Sequence, residues 1–168
     1  VVDLHIVRSH HFNEGLRSLF DDPAEQDAFI DLWRDLSSDL KHYPNELVAY
    51  EILNEAVADD PADWNRLVAR TVEVIRKQEP ERKIVIGSNR WQSVETFPEL
   101  EVPANDPNII LSFHFYHPMV LTHYKASWTP VGEYRGPVNY PGVVVPEKHR
   151  EKLEGDLKRR VEHWGGPY

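Results

Sequence analysis

With 168 residues, 40% of them hydrophobic and 11% aromatic, the chain can bury a sizeable core and is expected to form a single domain, 1–168. A formal net charge of −9 excludes nucleic-acid backbones and anionic membrane surfaces as expected partners, because both select clustered Lys and Arg. With no Cys there is no thiol nucleophile and no disulfide, and with no apolar run of spanning length, no signal peptide and Val1 in place of an initiating Met, the chain reads as a processed or excised piece.

The first element, residues 1–7 (VVDLHIV), is short and β-branched and ends at the polar group Arg8-Ser9-His10-His11, which predicts a strand feeding a loop. Asp21-Asp22-Pro23 then supplies a cap followed by proline, and apolar residues at Phe29, Leu32, Trp33, Leu36 and Leu40 follow helical spacing. Residues 47–53 are a nearly unbroken apolar run, as expected of a strand covered on both faces. Asp59-Asp60-Pro61 repeats the start signal, and Trp64, Leu67, Val68, Thr71, Val72 and Ile75 form one helical stripe. A third strand is predicted over 83–87 (KIVIG), then a loop to Pro107, a fourth strand over 109–115, and a long aromatic loop over roughly 117–145. Pro146 opens a last predicted helix reaching Trp164, with Leu153, Leu157, Val161 and Trp164 on one face and Gly165-Gly166 to end it. Strands so far apart in sequence cannot form hairpins, so parallel pairing with right-handed crossovers is the economical arrangement. The fold class is therefore α/β, and in a β/α barrel the loops that follow strands form the catalytic face.

Residues able to carry chemistry collect at those strand ends. Asn54-Glu55 follows the second strand, and a carboxyl group set among aromatic side chains can be held protonated by desolvation, which makes a general acid; a plain surface carboxylate is the competing reading. His5 follows the first strand, while His114 and Tyr116 end the fourth, where residues i and i+2 share a face. Each His alone could be a satisfied core residue; their agreement in position argues for a site. His10-His11 and His114-x-x-His117 suggest a metal, yet residues i and i+3 of a strand face opposite ways and no short-spaced ligand set fits, so neither metal nor cofactor is expected. Trp91, Trp128, Tyr124 and Tyr140 lie in loops, where flat rings either stack on sugar faces or anchor the loop in a small core.

These segments together resemble glycoside hydrolase family 5, the cellulase family of retaining β/α-barrel glycosidases. VVDLHIV resembles its third barrel strand, YEILNE the fourth with its Asn-Glu, KIVIGSNRW the fifth, and IILSFHFYHP the sixth with its His-x-Tyr; THYKASW and NYPG resemble the region after the sixth. The resemblance implies Glu55 as general acid/base and Asn54 as donor to the sugar hydroxyl beside the scissile bond. It also implies His5, His114 and Tyr116 as orienting groups, Trp91 as a sugar platform, a β-glucan or oligosaccharide as partner, and secretion by family analogy.

Retaining hydrolysis needs two carboxyl groups about 5–5.5 Å apart. The family's nucleophile is a Glu on a seventh strand, and WGGPY resembles the point where that strand would begin. A full barrel takes about 250 residues, so the expectation is a half-barrel that is catalytically incomplete; the alternative is a non-catalytic carbohydrate-binding or structural fragment. Val131-Gly132-Glu133-Tyr134 imitates a nucleophile motif but has no apolar run before it and no crossover helix separating it from the fourth strand. Open sheet edges further predict a homodimer.

Overall fold

The computed structural model describes residues 1–165, and the chain packs as two compact units, Val1–His114 and Phe115–Tyr168. In the first unit the elements run β1 (Val2–Asp3), α1 (Ser18–Asp21), α2 (Pro23–Leu40), β2 (Ala49–Glu51), α3 (Pro61–Gln78), β3 (Lys83–Gly87), α4 (Asn89–Gln92), a 3₁₀ turn (Val94–Glu99) and β4 (Ile109–Ser112). The four strands form one sheet in the order β1-β2-β3-β4, and every pair is parallel. This is four consecutive β/α units of a barrel, a partial TIM-type fold.

Both long helices start where the sequence signals it. The Asp22 carboxylate accepts from Ala24 N at 2.8 Å and the Asp60 carboxylate from Ala62 N at 2.9 Å, with Pro23 and Pro61 in the first turn, where no amide donor is needed. In register, Val2, Tyr50, Ile84 and Ile109 form one row of the sheet. That row faces the helices: Tyr50 and Ile84 are fully buried in one core with Phe29, Ile30 and Trp33 of α2 and Trp64, Leu67, Val68, Val72 and Ile75 of α3. Leu32, expected in the α2 stripe, is exposed, because Phe29, Ile30 and Trp33 already fill the contact. The indole N–H of Trp33 donates to Ile52 O (3.0 Å) and that of Trp64 to Gly87 O (2.9 Å), so each buried ring has its one donor satisfied by a strand carbonyl.

The next row, Asp3, Glu51, Val85 and Ile110, occupies the opposite face of the sheet, and by alternation so do Gly87 and Ser112, which pair in register. Three strands are shorter than the apolar runs suggest: 2–3, 49–51 and 109–112 against the expected 1–7, 47–53 and 109–115. The ladder thins toward the carboxyl ends, where only single bonds such as Ile52 N to Val85 O (3.3 Å) and Asn54 N to Leu4 O (3.1 Å) continue it. At the amino-terminal end of the strands, buried Arg82 donates to Glu79 (2.7 Å) and to the carbonyls of Val48 (2.9 Å) and Tyr43 (2.8 Å), while Ser37 Oγ donates to Glu79 (2.6 Å).

The second unit contains α5 (Met119–Thr122), α6 (Glu147–Arg150) and α7 (Gly155–Trp164) around a small core of Val120, Val131, Tyr134, Val144, Val145 and Val161. The single last helix expected from Pro146 to Trp164 is broken in two. Glu154 is extended and Gly155 takes φ +57°, a left-handed turn that interrupts the helical ladder between α6 and α7. Leu153, Leu157 and Trp164 still pack on this core. Gly165 ends α7, whereas Gly166 lies outside the described residues. Among the described residues no helix is long and apolar enough to cross a membrane.

Candidate functional site

The carboxyl end of the sheet in the first unit is built around the turn that follows β3. Arg90, Trp91 and Gln92 all take positive φ, at 53°, 63° and 54°. None is glycine, and left-handed backbone disfavours each of them, so the turn persists only because its surroundings fix it. Trp91 N donates to Ala56 O (3.2 Å), and its indole N–H donates to Phe12 O (3.1 Å), tying β3 to the loops after β2 and β1. Asn89, buried, makes the same kind of tie: its Nδ2 donates to Ala58 O (2.9 Å) and its Oδ1 accepts from Ala58 N (2.8 Å).

This framework brings Glu55 and His114 together. Glu55 is 7% exposed and also left-handed, at φ 50°. Its Oε1 lies 2.7 Å from His114 Nδ1, on a residue 59 positions away in sequence. With Glu55 as a carboxylate, which can only accept, Nδ1 is the donor of this pair. Asn54 is buried beside Glu55, with its main-chain N–H donating to Leu4 O. Trp91 remains 43% exposed at the same end, presenting part of its ring to solvent while its indole N–H is engaged. The arrangement is a short charge-assisted hydrogen bond at the strand ends beside a half-open aromatic surface.

His5 follows β1, next to Leu4, whose carbonyl accepts from Asn54 N. Its Nδ1 lies 3.1 Å from Asp3 Oδ2, its ring stands edge-on to Phe12 at 5.5 Å, and it is exposed. Tyr116, Trp128, Tyr124 and Tyr140 belong to the second unit. There Tyr116 O accepts from Thr122 Oγ1 (2.6 Å) and its ring stands 5.0 Å from that of His123. Trp128 and Tyr140 are strongly exposed at 76% and 66%. Tyr124 is half-buried against the small core, donates its hydroxyl to Gly136 O (2.9 Å) and carries Lys125 over its ring. Glu133, the imitation nucleophile, sits exposed in a turn between buried Val131 and Tyr134, whose side chains serve that core. Among the described residues no group of three or more His, Cys, Asp or Glu is placed to hold a metal ion.

Sequence reasoning missed Gln92 and Asn89 at this end, and weighed His10 only as half of a metal hint. Gln92, 1% exposed, lies over Gly87 and touches Glu51, Ser112 and Glu55. Asn89 was passed over as part of a loop. His10, fully buried with its ring edge-on to Phe20 at 5.4 Å, is pushed down to a pKa of about 4, first by burial and then by His11 and Arg17. Nothing local announces Gln92, since a left-handed turn without glycine leaves no mark in the sequence.

The sequence model of the family described as cellulase, glycosyl hydrolase family 5, matches residues 1–158. Endoglucanase C of Acetivibrio thermocellus is 38% identical over 146 residues, which are 84% of this chain and 41% of that protein. Cellodextrinase A of Ruminococcus flavefaciens is 34% identical over 134 residues, 77% of this chain and 39% of its own length. Among solved structures, Cel5A of Thermotoga maritima, in a mutant form with cellobiose, superposes with a TM-score of 0.64 at 29% identity over 78% of this chain and 40% of that one. A hyperthermophilic endo-β-1,4-glucanase in complex with substrate reaches 0.68 at 25% identity over 96% and 48%. The chain thus spans about two fifths of the curated relatives it matches and, with its four parallel strands and the match over 1–158, belongs to the cellulase family, glycosyl hydrolase family 5.

Proposed function

We propose that the chain carries the acid/base half of a retaining glycosidase site of the endoglucanase type, acting on β-1,4-linked glucan, within one truncated catalytic domain spanning 1–168. The observation that carries this reading is the buried Glu55 carboxylate held 2.7 Å from His114 Nδ1 at the carboxyl ends of the strands. In that role Glu55 gives its proton to the glycosidic oxygen as the leaving sugar departs, then takes one from the water that attacks the glycosyl intermediate. His114, held against Oε1, fixes which carboxyl oxygen is turned toward the sugar. Asn54 donates to the hydroxyl beside the scissile bond, while His5, His114 and Tyr116 orient the sugar and the nucleophile. Trp91 is the sugar platform in the first unit; Trp128, Tyr124 and Tyr140 are the proposed sugar-binding rings of the second, and of these the exposed rings of Trp128 and Tyr140 suit stacking best.

The covalent step needs a second carboxylate about 5–5.5 Å from Glu55, which the family places on a seventh strand, so this chain alone is proposed to be catalytically incomplete. The unpaired edges of β1 and β4 and the exposed Ile110, Leu111 and Phe113 favour a homodimer; a stable monomer by light scattering at micromolar concentration argues against it. The test of function is release of an aryl leaving group from an activated aryl β-cellobioside, with Glu55→Gln as control. Turnover that Glu55→Gln abolishes supports the enzymatic reading. A silent wild type that still binds cello-oligosaccharide supports the alternative, a non-catalytic carbohydrate-binding half-barrel, and a chain that does neither leaves only a structural role.

A further inference from the structure

We infer that Gln92 is the positioning residue that sets the Glu55–His114 pair, through contacts to both partners at once. Its Oε1 accepts from Glu55 N at 2.9 Å, and its main-chain carbonyl accepts from His114 N at 3.0 Å. One residue therefore fixes the backbone on each side of the 2.7 Å contact. The amide's other end is fixed as well, because Nε2 donates to Glu51 Oε1 (3.0 Å) and reaches Ser112 Oγ (3.4 Å).

The placement depends on three features. Glu51, Gly87 and Ser112 share the sheet face away from the helices, so a side chain lying across that face spans β2, β3 and β4. Gly87 leaves the space: a Cβ there would overlap the Gln92 side chain from Cγ to Nε2, so the side chain would have to move. The left-handed turn at Arg90, Trp91 and Gln92 brings the Gln92 carbonyl to His114 N while its side chain lies back over Gly87 toward Glu51 and Ser112. The strain at Glu55, φ 50°, is then held by the amide acceptor that Gln92 provides for that residue's own N–H. Leaving this buried N–H unsatisfied is costly enough that Glu55 relaxes instead.

This inference deepens the proposed acid/base role of Glu55 and rests on it for its functional meaning, but its test needs no substrate. The His114 Nδ1 proton is followed by NMR in the whole chain, together with the amide resonances of α2 and α3 as a control for the fold. The wild type is expected to show a Nδ1 proton protected from exchange with water. In Gln92→Ala and in Gly87→Ala, which displaces Gln92 without altering it, protection falls about fivefold, the factor carried by one hydrogen bond of typical net strength, with α2 and α3 unchanged. Gln92→Glu alone loses protection through repulsion from Glu51, and the swapped pair Glu51→Gln with Gln92→Glu restores it, because the bond between them is remade with donor and acceptor exchanged. An unprotected proton in the wild type, full protection in the folded Gly87→Ala chain, or a folded swapped pair that stays unprotected overturns the inference. If protection behaves as expected while the cellobioside assay and oligosaccharide binding both fail, positioning stands and the glycosidase reading falls.

Discussion

His10 is a buried base whose charge the fold cannot accept, and the consequence for stability has a definite sign. Its pKa is pushed down to about 4 from an ordinary value near 6.5, first by burial and then by repulsion from His11 and Arg17. The folded chain therefore keeps His10 neutral in a range where the unfolded chain protonates it. Stability from this source is complete above about pH 6.5 and is lost as pH falls from there to about 4, where the folded form takes up the proton too. The lowering corresponds to on the order of 3 kcal/mol, most of which is gone by pH 4.5. His10→Leu preserves approximate volume beside Phe20 and removes the titration. Urea unfolding of both chains at pH 7.5 and 4.5 isolates it: the wild type should lose on the order of 2–3 kcal/mol more than the variant between the two values. Equal losses in the two proteins would refute the reasoning.

Other substitutions test the framework around the site. Arg82→Leu leaves the Glu79 carboxylate buried without its cation and several carbonyls without their donor, and should cost about 3–5 kcal/mol in urea unfolding; a loss below about 1 kcal/mol contradicts the burial of that pair. Trp33→Ala removes a fully buried ring together with its bond to Ile52 O and should cost about 3–5 kcal/mol by the same measurement. Asp60→Ala deletes the cap of α3 and should cost about 1 kcal/mol, with no effect on the His114 Nδ1 signal. Asp106, held well below the usual carboxylate range chiefly by its hydrogen bonds to Arg76, contributes stability present at neutral pH and lost on acidification through its lowered pKa. Asp106→Asn should flatten that part of the acid unfolding curve.

How much of this was legible in the sequence follows from which interactions are local. The starts of α2 and α3 were readable because Asp-Pro caps act within three residues, and the α3 stripe because its packing has a fixed period. Strand β3 was readable to the residue, being covered on both sides, while β1, β2 and β4 were overextended because apolar character continues past the point where the ladder opens at the rim. Gly155 marked the break between α6 and α7, yet the apolar spacing on either side masked it. For the site, Glu55 and His114 could be placed at strand ends, but their 2.7 Å meeting depends on a register between β2 and β4 that only the intervening β3 determines. Gln92 was invisible for the same reason, since its four partners come from two other strands, β2 and β4, or their ends.

The central claim, that Glu55 and His114 sit at a carbohydrate-binding end of this sheet, is tested most directly by titrating the isotope-labelled chain with cellotetraose and mapping the perturbed resonances. Shifts centred on Asn54, Glu55, the Trp91 indole N–H and His114, and weakened by Trp91→Ala, are the predicted result. No shift at millimolar sugar, or shifts confined to residues remote from the carboxyl ends of the strands, would contradict it.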